Sequence, residues 1–155
     1  MISSKKMNET KRIAVVVQEH FKAELINWAY FNRNVLHQHE LIATGEMGTV
    51  LEGTTNTPVL KLASVQNGGY MQLASMIMGG EIDIIIFFSN PFEAHIAEGE
   101  VKSLHMIAEQ NNIVIATNRG TADFVLSSSL MTKAHPVFEP DHTGYIKRKT
   151  AYSDN

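Results

Sequence analysis

The sequence predicts one α/β domain, a doubly wound and mostly parallel five-stranded sheet with helices on both faces. Three observations predict it. The runs Ile13–Val17 and Ile82–Phe88 are β-branched and aromatic, with Asp83 as their only polar residue, which fits strands buried on both faces. The segments between such runs place apolar residues at helical spacing, so strands and helices alternate as in βαβ units. At 155 residues, 44% hydrophobic and 19% charged, the chain is long and apolar enough for one well-packed core.

Taken in order, residues 1–11 are polar and read as a flexible leader, residues 12–150 as the domain and residues 151–155 as a tail. Arg12 opens the first strand. Phe21, Leu25, Trp28 and Ala29 share a helical face, so a helix is predicted from Glu19 to about Asn32. A second strand, His39–Ala43, runs into a Gly-containing loop, Thr44–Thr49, followed by a short helix over Gly48–Thr55. Thr55–Pro58 is turn chemistry, and Val59–Ser64 is the third strand. A Gly-rich turn, Asn67–Tyr70, precedes a helix carrying Leu73, Ala74, Ile77 and Met78, which stops at Gly79-Gly80. Ile82–Phe88 is the strongest strand prediction; Ser89-Asn90-Pro91 breaks it, and Phe92–Gly99 reads as a loop. Val101, Leu104, Ile107 and Ala108 mark a helix over Glu100–Asn111. Ile113–Thr117 is the fifth strand, and Thr121–Ser128 a last helix with Thr121 as N-cap. From Pro136 the chain is polar and carries the basic cluster Lys147-Arg148-Lys149.

Composition excludes several functions. A net charge of −3 and a pI near 6.1 lack the basic footprint of a nucleic-acid binder. Without cysteine there is neither a disulfide framework nor a thiolate metal site. His37, His39, His105, His135 and His142 lack ligand-like spacing with carboxylates, so neither a metal nor another cofactor is expected. No apolar run reaches the roughly 18–20 residues that span a bilayer, and the polar N-terminal stretch lacks a secretory h-region. No membrane association and a cytoplasmic location are expected.

In open parallel sheets ligands bind beyond the carboxyl ends of the strands. Here those ends are Gln18-Glu19-His20, Thr44–Gly48, Ser64–Tyr70, Ser89-Asn90 and Asn118–Thr121, which hold nearly all the Gly-rich and polar clusters of the domain. Thr44–Thr49 has the makings of an anion site, a strand leading through a glycine turn into a helix start. Glu46 puts a carboxylate in that loop, where a phosphate favours a neutral hydroxyl. His20 reads as a helix-start residue, and Met71, Met76 and Met78 as core or subunit contacts.

These clusters, in this order, resemble the methylglyoxal synthase family over nearly all of Ile13–Arg148. The matching pieces are Lys22 after the first strand, Ala43-Thr44-Gly45-x-x-Gly48, Gly68-Gly69-x-x-Gln72, Ile82-Asp83-x-x-Ile86-Phe87-Phe88 with Pro91, Val101-Lys102, and Ile115–Asn118 with Thr121–Phe124. The resemblance implies a five-stranded doubly wound fold, homo-oligomers (often hexamers), and conversion of dihydroxyacetone phosphate to methylglyoxal and phosphate. It assigns substrate and phosphate binding to Lys22, Thr44, Gly45, Ser64, Gly68, Gly69, Asn118 and Arg148. Similar domains sense small molecules, so an allosteric site for a phosphorylated metabolite is a further implied role.

That chemistry needs a carboxylate base beside a ketone, a neutral imidazole to polarise it, and donors around the phosphate. At several of these positions the sequence departs from the family. Tyr70 stands where the resemblance puts the catalytic aspartate, Gln18-Glu19 where it puts a His-Asp pair, and Glu46-Met47 where it puts two hydroxyl residues. Asn90 replaces an aspartate, Ala97 the active-site histidine, with His95 two positions away, and Glu100 a nearby aspartate. The candidate catalytic residues are therefore Glu19, Tyr70, His95 and Glu100. The expectation is a family member that has lost the elimination and keeps an altered small-molecule pocket or a regulatory or scaffolding role. The alternative is an active enzyme using Glu19 or Glu100 as base.

Overall fold

The computed structural model describes residues 4–89 and 98–138. Its main sheet has five parallel strands: β2 (Arg12–Val17), β3 (Glu40–Thr44), β4 (Val59–Leu62), β5 (Ile84–Phe88) and β6 (Val114–Ala116), in the order β4-β3-β2-β5-β6. β2 lies at the centre, pairing Ile13 with Leu41 on one side and with Ile84 on the other. Its side chains alternate between two cores. Ile13, Val15 and Val17 face one, and Ala14 and Val16 face the other. β5 divides the same way, with Ile84, Ile86 and Phe88 against Ile85 and Phe87. This is why neither strand shows polar alternation.

The first core is covered by α1 (Lys22–Phe31), α2 (Arg33–Leu36), α3 (Gly45–Thr55) and α6 (Arg119–Leu126), through Leu25, Trp28, Leu36, Leu51, Ala122 and Leu126. The second is covered by α4 (Gly69–Met78) and α5 (Glu98–Gln110), through Leu73, Ile77, Leu104 and Ala108. The predicted doubly wound sheet is thus present. Trp28 is fully buried, lies edge-on to Phe88 at 5.2 Å between ring centroids, and donates from its indole Nε1 to Asp123 Oδ1 at 3.1 Å. A buried Trp needs such an acceptor. Asp123, in one of the family-like motifs, therefore serves to fasten α6 to α1.

Several expectations are corrected. Residues 4–11 are not a loose leader. β1 (Ser4–Met7) pairs antiparallel with β7 (His135–Phe138), so the stretch from Pro136 also begins as strand. Lys11 is buried, its ammonium donating to the carbonyls of Asn8 and Lys133. Neither short segment has a period of its own, and only their distant pairing makes them strands. Thr44–Thr49 is not a loop before a helix, because α3 begins at Gly45. α6 is capped by Asn118, not Thr121: the Asn118 Oδ1 accepts the Thr121 N–H at 2.8 Å.

Two polar groups at the amino-terminal end of the sheet hold it in register. Asp83 is 4% exposed and accepts from the Arg12 backbone N–H at 2.8 Å and from Arg12 Nε and Nη2, both at 3.1 Å. His39, 6% exposed, accepts the Lys11 N–H on Nδ1 at 2.9 Å. That bond requires a neutral imidazole with its proton on Nε2. Burial, and then the Lys11 charge, hold its pKa below the ordinary value.

Replacing Arg12 with alanine removes the two guanidinium bonds and leaves the buried Asp83 carboxylate without its counter-charge, held by the backbone N–H; it is expected to cost on the order of 3 kcal/mol, read from urea denaturation. His39 gives a pH test. Its folded pKa lies below the unfolded value of about 6.5, so the stability from the neutral imidazole is complete above that pH and lost as pH falls toward the folded value. His105, whose pKa is lowered mainly by burial, acts in the same direction. The melting temperature is expected to fall between pH 7.5 and 5.5, less steeply in His39→Asn.

Candidate functional site

A cleft of about 490 Å³ opens over the carboxyl ends of β2, β3 and β4. One wall is Val17 to His20, at the end of β2, where the Gln18 N–H continues the pairing by donating to Phe88 O at 2.9 Å. The next is Thr44 to Met47, the last residue of β3 and the first turn of α3. Ser64, Val65 and Gln66 close the third side, and Tyr70 on α4 closes the floor.

Glycine geometry shapes this cleft at two points. Gly45 has φ +52°, and a Cβ there would stand 3.1 Å from Ser64 Cα, so the β3–α3 and β4–α4 connections approach as closely as backbone allows. A Cβ on Gly69 would lie 2.1 Å from Ala63 O. The Gly69 N–H donates to Ser64 O at 2.9 Å, and Gln72 Oε1 accepts the Ala63 N–H at 2.7 Å, so the turn after β4 is fastened to the start of α4. Gly68, with φ +93°, is the left-handed residue that precedes this helix.

The sequence-predicted residues separate accordingly. Glu19, Thr44, Gly45, Ser64 and Tyr70 line the cleft together, and so does His20, which sequence reasoning left as a helix-start residue. Gly68 and Gly69 build the turn. Lys22 stands beside the cleft with its Nζ 3.4 Å from Glu46 Oε1; both side chains are substantially exposed, at 47% and 70%. Glu100 lies on α5 by a separate hollow of about 240 Å³, whose wall Tyr70 shares. Tyr70 is thus the partition between the two spaces. It is buried, and its phenol pKa is raised by that burial and then by the charge of Glu100. Asn118 does not join them, since it caps α6 at the end of β6. His95 and Arg148 lie outside the described residues. Val65 and Gln66 fall inside the strand-end cluster Ser64–Tyr70 but are not singled out by the sequence, because they belong to a single 3-10 turn, Val65–Asn67, that has no sequence period. No group of three or more His, Cys, Asp or Glu among the described residues could hold a metal ion.

Chemically the cleft offers hydroxyls from Thr44 and Ser64, an amide from Gln66, carboxylates from Glu19 and Glu46, and the N-terminal N–H groups of α3, which the Thr44 side chain does not cap. That set can bind a small polar molecule. The family model of the MGS-like domain matches residues 24–117. The chain belongs to the methylglyoxal synthase-like family.

Methylglyoxal synthase of Coxiella burnetii is 41% identical over 138 residues, which is 89% of this chain and 96% of that relative. Methylglyoxal synthase of Vibrio cholerae serotype O1 is 36% identical over 148 residues, covering 96% and 98%. The crystal structure of methylglyoxal synthase from Elizabethkingia anophelis NUHP1 aligns with a TM-score of 0.86 at 38% identity, covering 94% of this chain and 96% of that one. In this family member the cleft sits where a doubly wound sheet collects its strand ends.

The glycine geometry makes a graded prediction. Gly45→Ala is expected to cost about 1–2 kcal/mol, the price of a left-handed residue with a Cβ, whereas Gly69→Ala drives a Cβ into a carbonyl oxygen and is expected to cost more. Chemical denaturation of the two variants checks the order.

Proposed function

We propose that this chain binds a small polar metabolite in the cleft at the ends of β2, β3 and β4, and does not carry out the elimination for which its relatives are named. One observation carries the reading. Tyr70 occupies the position at which the family resemblance expects the carboxylate base, and it is a buried phenol whose pKa is pushed up from 10.0 by burial and by Glu100. Such a group stays protonated near neutral pH. Losing a positioned base lowers the rate of such a step by about 10²–10⁴. The pairing of Lys22 with Glu46 supports the same reading, because it engages the cation that the resemblance assigns to substrate.

A second reading, an active synthase with a rearranged base, is favoured by two observations. The relatives named methylglyoxal synthase match nearly the whole chain at 36–41% identity, and Glu19 lines the cleft next to His20. A role as sensor of a phosphorylated metabolite uses the same cleft.

A homo-oligomer, a hexamer by family resemblance, belongs to the proposal. Met71 and Met78 on α4, Met106 on α5, Phe31 on α1 and Phe124 on α6 are each at least 60% exposed, and an assembly would cover such side chains. Light scattering at micromolar concentration measures the state directly. A cytoplasmic location goes with this reading, since a cysteine-free chain has no need of an oxidising compartment.

The deciding experiment incubates the protein with dihydroxyacetone phosphate and follows phosphate and methylglyoxal together against a buffer blank. Release at the blank rate is expected. Stoichiometric release that scales with protein and disappears in Glu19→Gln or Glu100→Gln would establish the second reading instead.

A further inference from the structure

A hollow of about 400 Å³ lies at the edge of the sheet opposite the cleft, by Ile84 and Val114, the first residues of β5 and β6. Val125 on α6 and Met131 on the turn Ser129–Thr132 continue its wall, and β7 completes it. The chain holds β7 in place from both ends. Lys11 donates from its ammonium to Lys133 O at 2.6 Å, just before the strand, and Asn112 Nδ2 donates to Phe138 O at 2.7 Å, at its last residue. The strand is thus tethered beside an apolar floor. Protein interiors leave few voids larger than a water molecule, and a mostly apolar hollow of this size is typical of small-molecule sites.

Lys11 is the one lysine, arginine or carboxylate among the described residues that line it, and it is 1% exposed. Its hydrogen-bond acceptors, the carbonyls of Asn8 and Lys133, are neutral, and they take two of the three N–H donors of an ammonium. Burial is the largest influence on Lys11 and lowers its pKa, against the attraction of Asp83 and Glu9. Asp83 is itself bound by the Arg12 guanidinium. A buried charge is costly unless it is paired. A molecule with a carboxylate and an apolar body would supply the counter-charge and cover the floor at once.

We propose that this hollow is a second ligand site, which takes a small apolar monocarboxylic acid with its carboxylate toward Lys11 and its body against Val114, Val125 and Met131. The site stands apart from the cleft and does not rest on the reading given to it.

NMR titration of the methyl-labelled full chain with hexanoate and with hexanol, at constant pH and ionic strength, tests it. Hexanoate is expected to shift the methyl signals of Val114, Val125 and Met131 saturably. Hexanol lacks the charge and should bind there roughly tenfold more weakly, as the loss of a hydrogen bond to a charged group implies. In Lys11→Met the two compounds should bind alike; where that variant does not fold, the wild-type ratio decides. No saturable shift of these methyls at millimolar hexanoate, hexanol as tight as hexanoate in wild type, or a folded Lys11→Met chain that keeps the preference would each overturn it. Shifts of Val17 and Val65 alone would put the acid in the cleft and overturn it too.

Discussion

The structure depends on the parallel pairing of β2 with β3 on one side and β5 on the other. From Ile13 to Val17, β2 is flanked on both edges, covered on both faces and buried from water; only Arg12, at its entrance, is partly exposed. Over that stretch its backbone groups are satisfied by its neighbours and its side chains are apolar. Parallel neighbours in turn require crossovers, and those crossovers supply the helices that cover the two faces. Arg12 and Asp83 fix where this pairing starts. Their bonds, one from backbone and two from the guanidinium, tie the entrance of β2 to that of β5 and satisfy a carboxylate with little access to solvent.

From that pairing follows the location of the cleft. Because the five strands of the main sheet run in one direction, their carboxyl ends share an edge, and the turns that leave it gather residues far apart in sequence. Val17–His20, Thr44–Met47 and Ser64–Gln66 come together there. The close backbone approach at Gly45 and Gly69 sets the distance between those turns. This edge combines a helix start that the Thr44 side chain does not cap, the hydroxyl residues Thr44 and Ser64, and a tight glycine turn.

Tyr70 and Glu46 stand out among the residues that line the cleft. A phenol separates the cleft from the hollow beside Glu100, and burial makes that phenol harder to ionise. A carboxylate stands at a helix end whose partial charge favours an anion, with a lysine drawn toward it. Asp123, in a family-like motif, is committed to the Trp28 indole and the docking of α6.

The sequence by itself determined the architecture. The unbroken apolar run of β5, the helical spacing of Leu25 and Trp28, and the glycines at Gly45, Gly68 and Gly69 reflect local requirements that every doubly wound sheet imposes, so they can be read from neighbouring residues. It also placed Glu19, Thr44, Gly45, Ser64 and Tyr70 in one cleft, because strand ends are legible and parallel strands share an edge. Only the tertiary structure decided the remainder. β1 exists because Ser4–Met7 meets His135–Phe138 across the length of the chain. Asn118 rather than Thr121 caps α6, which depends on the direction of one side chain. Gln66 and His20 reach the cleft and Asn118 does not, because distances between turns are set by packing. Glu46 faces Lys22 for the same reason: residues from two helices meet only after the sheet has placed them, and no spacing along the chain encodes that encounter.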